Sequence, residues 1–210
     1  MTMGRYYERI LPHWQPDGAA LFVTWRLRGS LPAGCVFPRA DKETATGAGK
    51  VFLELDRRLD RATSGPLWLK DSRIAQLMVD SLLFGEATLK LYELQAWVVM
   101  ANHIHVLWDP RVELSRITRA IKTYTAREAN KLLGRTGKPF WQEESYDHWV
   151  RDRREGERIV RYIELNPVQA GLVPRAEDWP WSSAAMARQL NRPEACCYVS
   201  GSTARRPVAT

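Results

Sequence analysis

The sequence predicts an α+β domain in which helices cover an antiparallel sheet. Three observations predict it. Apolar residues recur at every second position in some stretches and at three- to four-residue spacing in others, so strands and helices are both expected. The strand-like stretches 91–100 and 103–110 are separated only by Ala101 and Asn102, which permits only an antiparallel return. The resulting order is strand, helix, two antiparallel strands, helix, strand, helix, for which a ferredoxin-like core is the leading arrangement.

Residues 1–19 contain Pro12 and Pro16 and read as an irregular leader. Residues 20–27 form the first strand, closed by Gly29-Ser30-Leu31-Pro32. Residues 41–63 are an inserted helical segment with apolar spacing at Val51, Leu55 and Leu59, weakened early by Gly47 and Gly49. Asp71 or Ser72 caps the next helix, whose stripe is Ile74, Leu77, Met78 and Leu82, with Gly85 at its end. In 91–100, Tyr92, Leu94, Ala96, Val98 and Met100 alternate with Glu93, Gln95 and Trp97, giving one covered face. Residues 113–133 read as a helix with Leu114, Ile117, Ile121, Tyr124 and Leu132 buried, stopped by Gly134. A short strand at 145–150 and a helix at 154–166 follow, the latter ended by Pro167, which disfavours helical geometry in the residue before it. One domain therefore covers 20–185, and 186–210 is expected to be a mobile polar tail.

The 210 residues, 45% hydrophobic and 26% charged, suit one globular domain with a sizeable core. No apolar run is long enough to span a bilayer, and the first residues lack the apolar centre of a signal peptide, so no membrane partner is expected. Cys35, Cys196 and Cys197 form neither a disulfide framework nor a zinc pattern, which fits a reduced, cytoplasmic protein. The net charge of +7 favours a polyanionic partner, and nine tryptophans in a basic chain suit stacking on unpaired bases.

Chemistry concentrates in two places. In the apolar strand 97–108, His103 and His105 lie two apart and project from one face, while Ile104 and Val106 face the other way. Two readings stand: a two-imidazole grip on a divalent metal, or a pair of ordinary half-buried histidines. In the last helix, Tyr162 and Asn166 are four apart on one face, with Arg158 a turn earlier. An amide oxygen from Asn166 and a hydroxyl from Tyr162 suit attack on a metal-polarised phosphate. A core tyrosine and a helix-terminal asparagine are the plainer alternatives.

At this point the chain resembles the REP-associated tyrosine transposases, relatives of single-tyrosine HUH transposases. The matching pieces run in order. They are Phe22-Val23-Thr24-Trp25-Arg26-Leu27, Val98-Val99-Met100-Ala101-Asn102-His103-Ile104-His105-Val106, Lys138-Pro139-Phe140-Trp141-Gln142, Tyr146-Asp147-His148, Tyr162-Ile163-Glu164-Leu165-Asn166-Pro167 and Trp179-Pro180-Trp181-Ser182-Ser183. The usual proline before the turn asparagine is Ala101 here. The resemblance implies an HUH ferredoxin-like core with His103, His105 and Asn166 as ligands of Mg²⁺ or Mn²⁺ and Tyr162 as nucleophile. It also implies cleavage and rejoining of single-stranded DNA beside REP-type hairpins through a 5′-phosphotyrosine. The protein would then be nucleoid-associated, as a monomer or homodimer.

The basic row Arg116, Arg119, Lys122, Arg127 and Lys131, with Arg158, is expected to contact DNA, against the plainer reading of a solvated helix face. His148 reads as a packing residue or one that supports the metal ligands, and Glu155 and Glu157 as a solvated helix start. Two rival functions keep part of this set. One is a hydrolytic phosphodiesterase in which activated water attacks, although His148-Trp149-Val150 does not supply the second His-x-Ser/Thr that such enzymes need. The other is a domesticated, non-catalytic hairpin-binding protein.

Overall fold

The computed structural model describes residues 5–8, 12–15, 18–31, 45–61 and 65–190, with backbone alone at 5–8, 12–15 and 45–51. The expected start of the inserted segment at Asp41 and the polar tail from Asn191 lie outside the described residues. Strands β1 (Arg5–Glu8) and β2 (Pro12–Gln15) pair antiparallel as a separate hairpin, so the leader expected to be irregular carries regular structure. Pro12 is tolerated because it opens its strand, where a missing N–H costs no ladder bond.

The main sheet is fully antiparallel. It contains β3 (Leu21–Arg26), β4 (Tyr92–Val99), β5 (His103–Pro110) and β6 (Tyr146–Trp149) in the order β4-β5-β3-β6. Consecutive strands β4 and β5 are neighbours, while the first and last strands of the set pair with each other, which is the ferredoxin-like arrangement. Ala101 and Asn102 make the expected tight turn, closed by the Met100 N–H donating to the His103 carbonyl at 2.9 Å.

One face of the sheet packs on α2 (Ser72–Ala87) and α3 (Leu114–Leu132) through Val23, Trp25, Ile104, Val106 and Trp108. Trp25 stacks on Trp108 at 5.9 Å and Tyr92 stacks on Trp108 at 4.7 Å. The opposite face packs on α1 (Ala45–Arg61) and α4 (Arg153–Gln169) through Phe22, Phe52, Ala96, Val98, Leu107 and Ile163. The free edge of β4 is covered by the Trp179–Ser183 stretch: Val99 N–H donates to the Trp181 carbonyl at 2.8 Å and Trp179 Nε1 donates to the Val99 carbonyl at 3.0 Å. That stretch leads into α5 (Ser183–Leu190), which carries the chain past the domain boundary expected at 185.

Several local expectations change. A bulge between Leu94 and Ala96 flips the face of β4, so Tyr92 and Leu94 pack with one core and Ala96, Val98 and Met100 with the other. Gly85 does not end α2, which runs on to Ala87. An added Cβ there would sit 2.7 Å from Cζ of Tyr92, whose hydroxyl donates to the Leu82 carbonyl at 2.8 Å, so the glycine makes room for that ring. In α3, Thr125 and Ala129 are buried, whereas Tyr124 and Leu132 are exposed. Helix α4 continues through Pro167 but for only two more residues, consistent with the intrahelical hydrogen bond that proline cannot make.

Candidate active site

The strand turn and the first strand fix the two imidazoles. Asn102 Nδ2 donates to the Leu59 carbonyl at 3.0 Å, a group that can only accept. Its Oδ1 therefore faces His103 Nδ1 at 2.7 Å, which makes that ring nitrogen the donor and leaves Nε2 with its lone pair. His105 Nδ1 lies 2.7 Å from Thr24 Oγ1. The two Nε2 atoms then converge, 3.1 Å apart, with both rings fully buried. The period-2 projection expected for this pair is what brings them together.

Helix α1 supplies what the sequence reading missed. Its Asp56 places Oδ1 3.1 Å from His105 Nε2 and 3.6 Å from His103 Nε2. Asp56, His103 and His105 each offer one ligand atom, and these atoms lie within 4.8 Å of one another, all buried. A turn later Asp60 Oδ1 lies 3.7 Å from His103 Nε2. The available signal was a pair of carboxylates at 56 and 60 falling on the apolar stripe of Phe52, Leu55 and Leu59, where helix packing tolerates polar groups poorly.

Helix α4 brings Tyr162 and Asn166 to the same place, as their spacing predicts. The Tyr162 hydroxyl donates to Asp56 Oδ2. Asn166 Nδ2 lies 3.3 Å from the same oxygen and 3.5 Å from His105 Nε2. Phe22 stacks on His105 at 5.6 Å, and Phe52 lies edge-on to it at 6.1 Å, so an apolar wall excludes water.

That environment shifts the titrating groups. Burial pushes the Asp56 carboxyl up, but His105 by charge and hydrogen bond, with His103 and Tyr162, brings it down to about 2. Burial and the Asp56 charge raise Asp60 to about 7. Burial, with the neighbouring His105, lowers His103 to about 3, against the pull of Asp56. Burial together with the Asp56 carboxylate drives the Tyr162 phenol far above its ordinary range. The donor set fits a divalent ion: both imidazole nitrogens converge with Asp56 Oδ1, Asp60 Oδ1 lies beside His103, the Asn166 amide lies beside His105, and the Oδ1 atoms of these three residues are buried.

Other expected residues are not gathered here. His148 Nε2 lies 3.1 Å from Glu155 Oε1, so its recorded partner is the first turn of α4 and not the imidazole pair. Glu155 itself is buried, not solvated, held by Arg151 at 2.6 Å, and these contacts outweigh burial to lower its carboxyl to about 2. Along α3, Lys122 binds the Glu143 carbonyl at 2.9 Å, and Arg127 and Lys131 both bind Glu128 at 2.7 and 3.1 Å. Arg116 and Arg119 stay exposed and line a shallow groove with Tyr124 and Arg127. Arg158 is exposed on α4.

The chain is similar to known proteins over part of its length. A family model described as "Transposase IS200 like" matches residues 78–166. A REP-associated tyrosine transposase of Escherichia coli is 30% identical over 95 residues, covering 44% of this chain and 54% of that protein. A putative REP-associated tyrosine transposase of Haemophilus influenzae is 29% identical over 103 residues, covering 44% of this chain and 58% of that protein. The chain thus spans little more than half the length of the curated relatives it matches. The fold matches the structure of a REP-associated tyrosine transposase bound to a REP hairpin, with TM-score 0.54 at 22% identity over 91% of this chain and 89% of that one. This chain is thus similar over part of its length to REP-associated tyrosine transposases, its residues 78–166 match the IS200-like transposase model, and it shares the fold of a REP-associated tyrosine transposase.

Proposed function

We propose that the protein is a metal-dependent single-stranded DNA endonuclease and strand transferase that acts at REP-type hairpins through a covalent 5′-phosphotyrosine. The observation that carries this reading is the meeting of Tyr162 with the buried set His103, His105, Asp56 and Asn166. His103 and His105 would hold the ion, Mg²⁺ or Mn²⁺, with Asp56 and the Asn166 amide beside them as oxygen donors. When bound, the ion supplies positive charge that offsets the carboxylates and disperses the charge developing on phosphate.

The chain's own groups do the rest. Tyr162 Oη attacks phosphorus, forming the tyrosyl ester and breaking the bond to the 3′ oxygen, which leaves as a free hydroxyl. Its proton passes along the hydrogen bond that orients the hydroxyl to Asp56 Oδ2, and the departing 3′ oxygen takes up one proton in return, so the step is proton-neutral. The ester conserves the energy of the broken bond, so rejoining needs no nucleotide cofactor. Phe22 and Phe52 exclude water, which suits transfer to a DNA hydroxyl over hydrolysis. Because both histidines are buried beneath α1, DNA entry requires that helix to lift.

Arg116 and Arg119, exposed beside Tyr124, are the members of the basic row best placed to meet phosphate and an unpaired base. Lys122, Arg127 and Lys131 reach DNA only by exchanging their present partners, and Arg158 flanks Tyr162 on α4. A DNA substrate places the protein on the nucleoid. The reading is tested by Tyr162→Phe with a labelled REP-type hairpin and Mn²⁺. Cleavage falls by roughly 10⁴-fold or more while hairpin affinity is kept; a fully active variant removes Tyr162 from the chemistry.

A further inference from the structure

Helix α1 points two carboxylates, one turn apart, at one pair of buried imidazoles. Among the described residues, Asp56 and Asp60 make their ion pairs only with His103 and His105, and no lysine or arginine is recorded against either. The Oδ1 atoms of Asp56 and Asp60 are buried and lack a donor, as is that of Asn166. Asp56 is 2% exposed and Asn166 is fully buried, so bulk solvent does not reach them. Two neighbouring buried carboxylates repel each other unless one takes up a proton or positive charge lies between them. Among the described residues α1 is also tied down by the Asn102–Leu59 hydrogen bond, by the apolar contacts of Phe52, Leu55 and Leu59, and by the Tyr162 and Asn166 contacts of Asp56.

We propose that Asp60 is a further ligand of the divalent ion and that α1 is a metal-binding arm, held onto the histidine pair by Asp56 and Asp60 in the DNA-free protein. This rests on the reading that the cluster holds a divalent ion. The ligand set becomes two imidazole nitrogens with oxygens from Asp56, Asp60 and Asn166, an oxygen-rich mixture suited to Mn²⁺ or Mg²⁺. Asp56 and Asp60 sit four apart on one helix face, so one docking motion delivers both. A scissile phosphate then takes over oxygen positions that the arm vacates. The ion thereby couples the position of α1 to the state of the site.

The test is binding of Mn²⁺ to the full chain, followed by electron paramagnetic resonance, in the wild type, Asp60→Asn and His105→Ala. Hydrogen exchange of residues 45–61 is measured in the wild type with and without Mn²⁺. Asp60→Asn is expected to weaken Mn²⁺ binding by about 10-fold or more, and Mn²⁺ is expected to slow exchange in α1. Unchanged Mn²⁺ affinity in a folded Asp60→Asn protein overturns the proposal while leaving the histidine site standing. Unchanged α1 exchange on Mn²⁺ binding overturns it also, without relying on the variant. A wild type that binds no Mn²⁺, or a His105→Ala protein that binds it as tightly, overturns the metal reading itself.

Discussion

The two faces of the central sheet solve opposite problems. On the α2–α3 face, Trp25, Tyr92 and Trp108 stack among Ile104 and Val106, and the Tyr92 hydroxyl finds the Leu82 carbonyl. On the α1–α4 face, equally buried positions hold Asp56, His103, His105 and Asn166, and two of their oxygens, Oδ1 of Asp56 and of Asn166, lack donors. Alternate residues of the same strand serve both faces, since Ile104 packs one core and His105 enters the other cluster. Burial stabilises the first face, and in the second it is spent on preorganising charge. Side-chain removal therefore has different consequences on the two faces.

The largest expected stability effect lies on the apolar face. Trp108→Ala loses its stacking with Trp25 and Tyr92 and costs about 3–5 kcal/mol of unfolding free energy in urea titration. A loss under about 1 kcal/mol would erase the contrast between the faces. On the other face, His105→Ala is expected to reduce Mn²⁺ affinity by roughly 100-fold. Its metal-free stability should also fall, because Asp56 is left as a buried carboxylate without its main imidazole partner. Calorimetric titration beside thermal melting measures both.

Asp60 sharpens the comparison through pH. Its carboxyl, raised by burial and by Asp56 from the ordinary aspartate range to about 7, binds its proton more tightly in the folded chain than in the unfolded one. That contribution to stability is complete below about pH 4 and is lost as pH rises through 7. In chelator, Asp60→Asn should therefore melt a few degrees above the wild type at pH 8, with the gap closing toward pH 5. An equal gap at both values would mean that Asp60 does not titrate in this range. The smallest effect is expected at the α3 surface, where replacing Arg116 and Arg119 with alanine should lower the salt slope of hairpin binding by roughly 0.7 per residue.

The two faces also differ in how legible they were. His103 and His105 could be read because a strand repeats every two residues, and Tyr162 with Asn166 because a helix brings residues four apart together. The order of the main elements and the ferredoxin-like sheet followed from the same periodicities. Asp56 and Asp60 could not be placed so directly, because they lie in a segment with Gly47 and Gly49 and reach the histidines only through tertiary docking. The bulge at Gln95 is invisible to alternation, since one extra residue exchanges the faces without altering composition. Tyr124 was drawn into the α3 stripe by its apolar ring, although Thr125 takes the buried position and binds Trp141 Nε1 at 2.9 Å. The proline rule places the end of α4 at Asn166, three residues before its end at Gln169.

The central claim is that Tyr162 becomes covalently joined to DNA at a site built on His103 and His105. Its most direct measurement is mass spectrometry of the protein after incubation with a single-stranded REP-type hairpin and Mn²⁺, with peptide mapping of any adduct. The account predicts a phosphotyrosyl–DNA adduct on Tyr162 that needs Mn²⁺ and is absent from His105→Ala. Cleavage products without an adduct, or an adduct mapped to another residue, would contradict it.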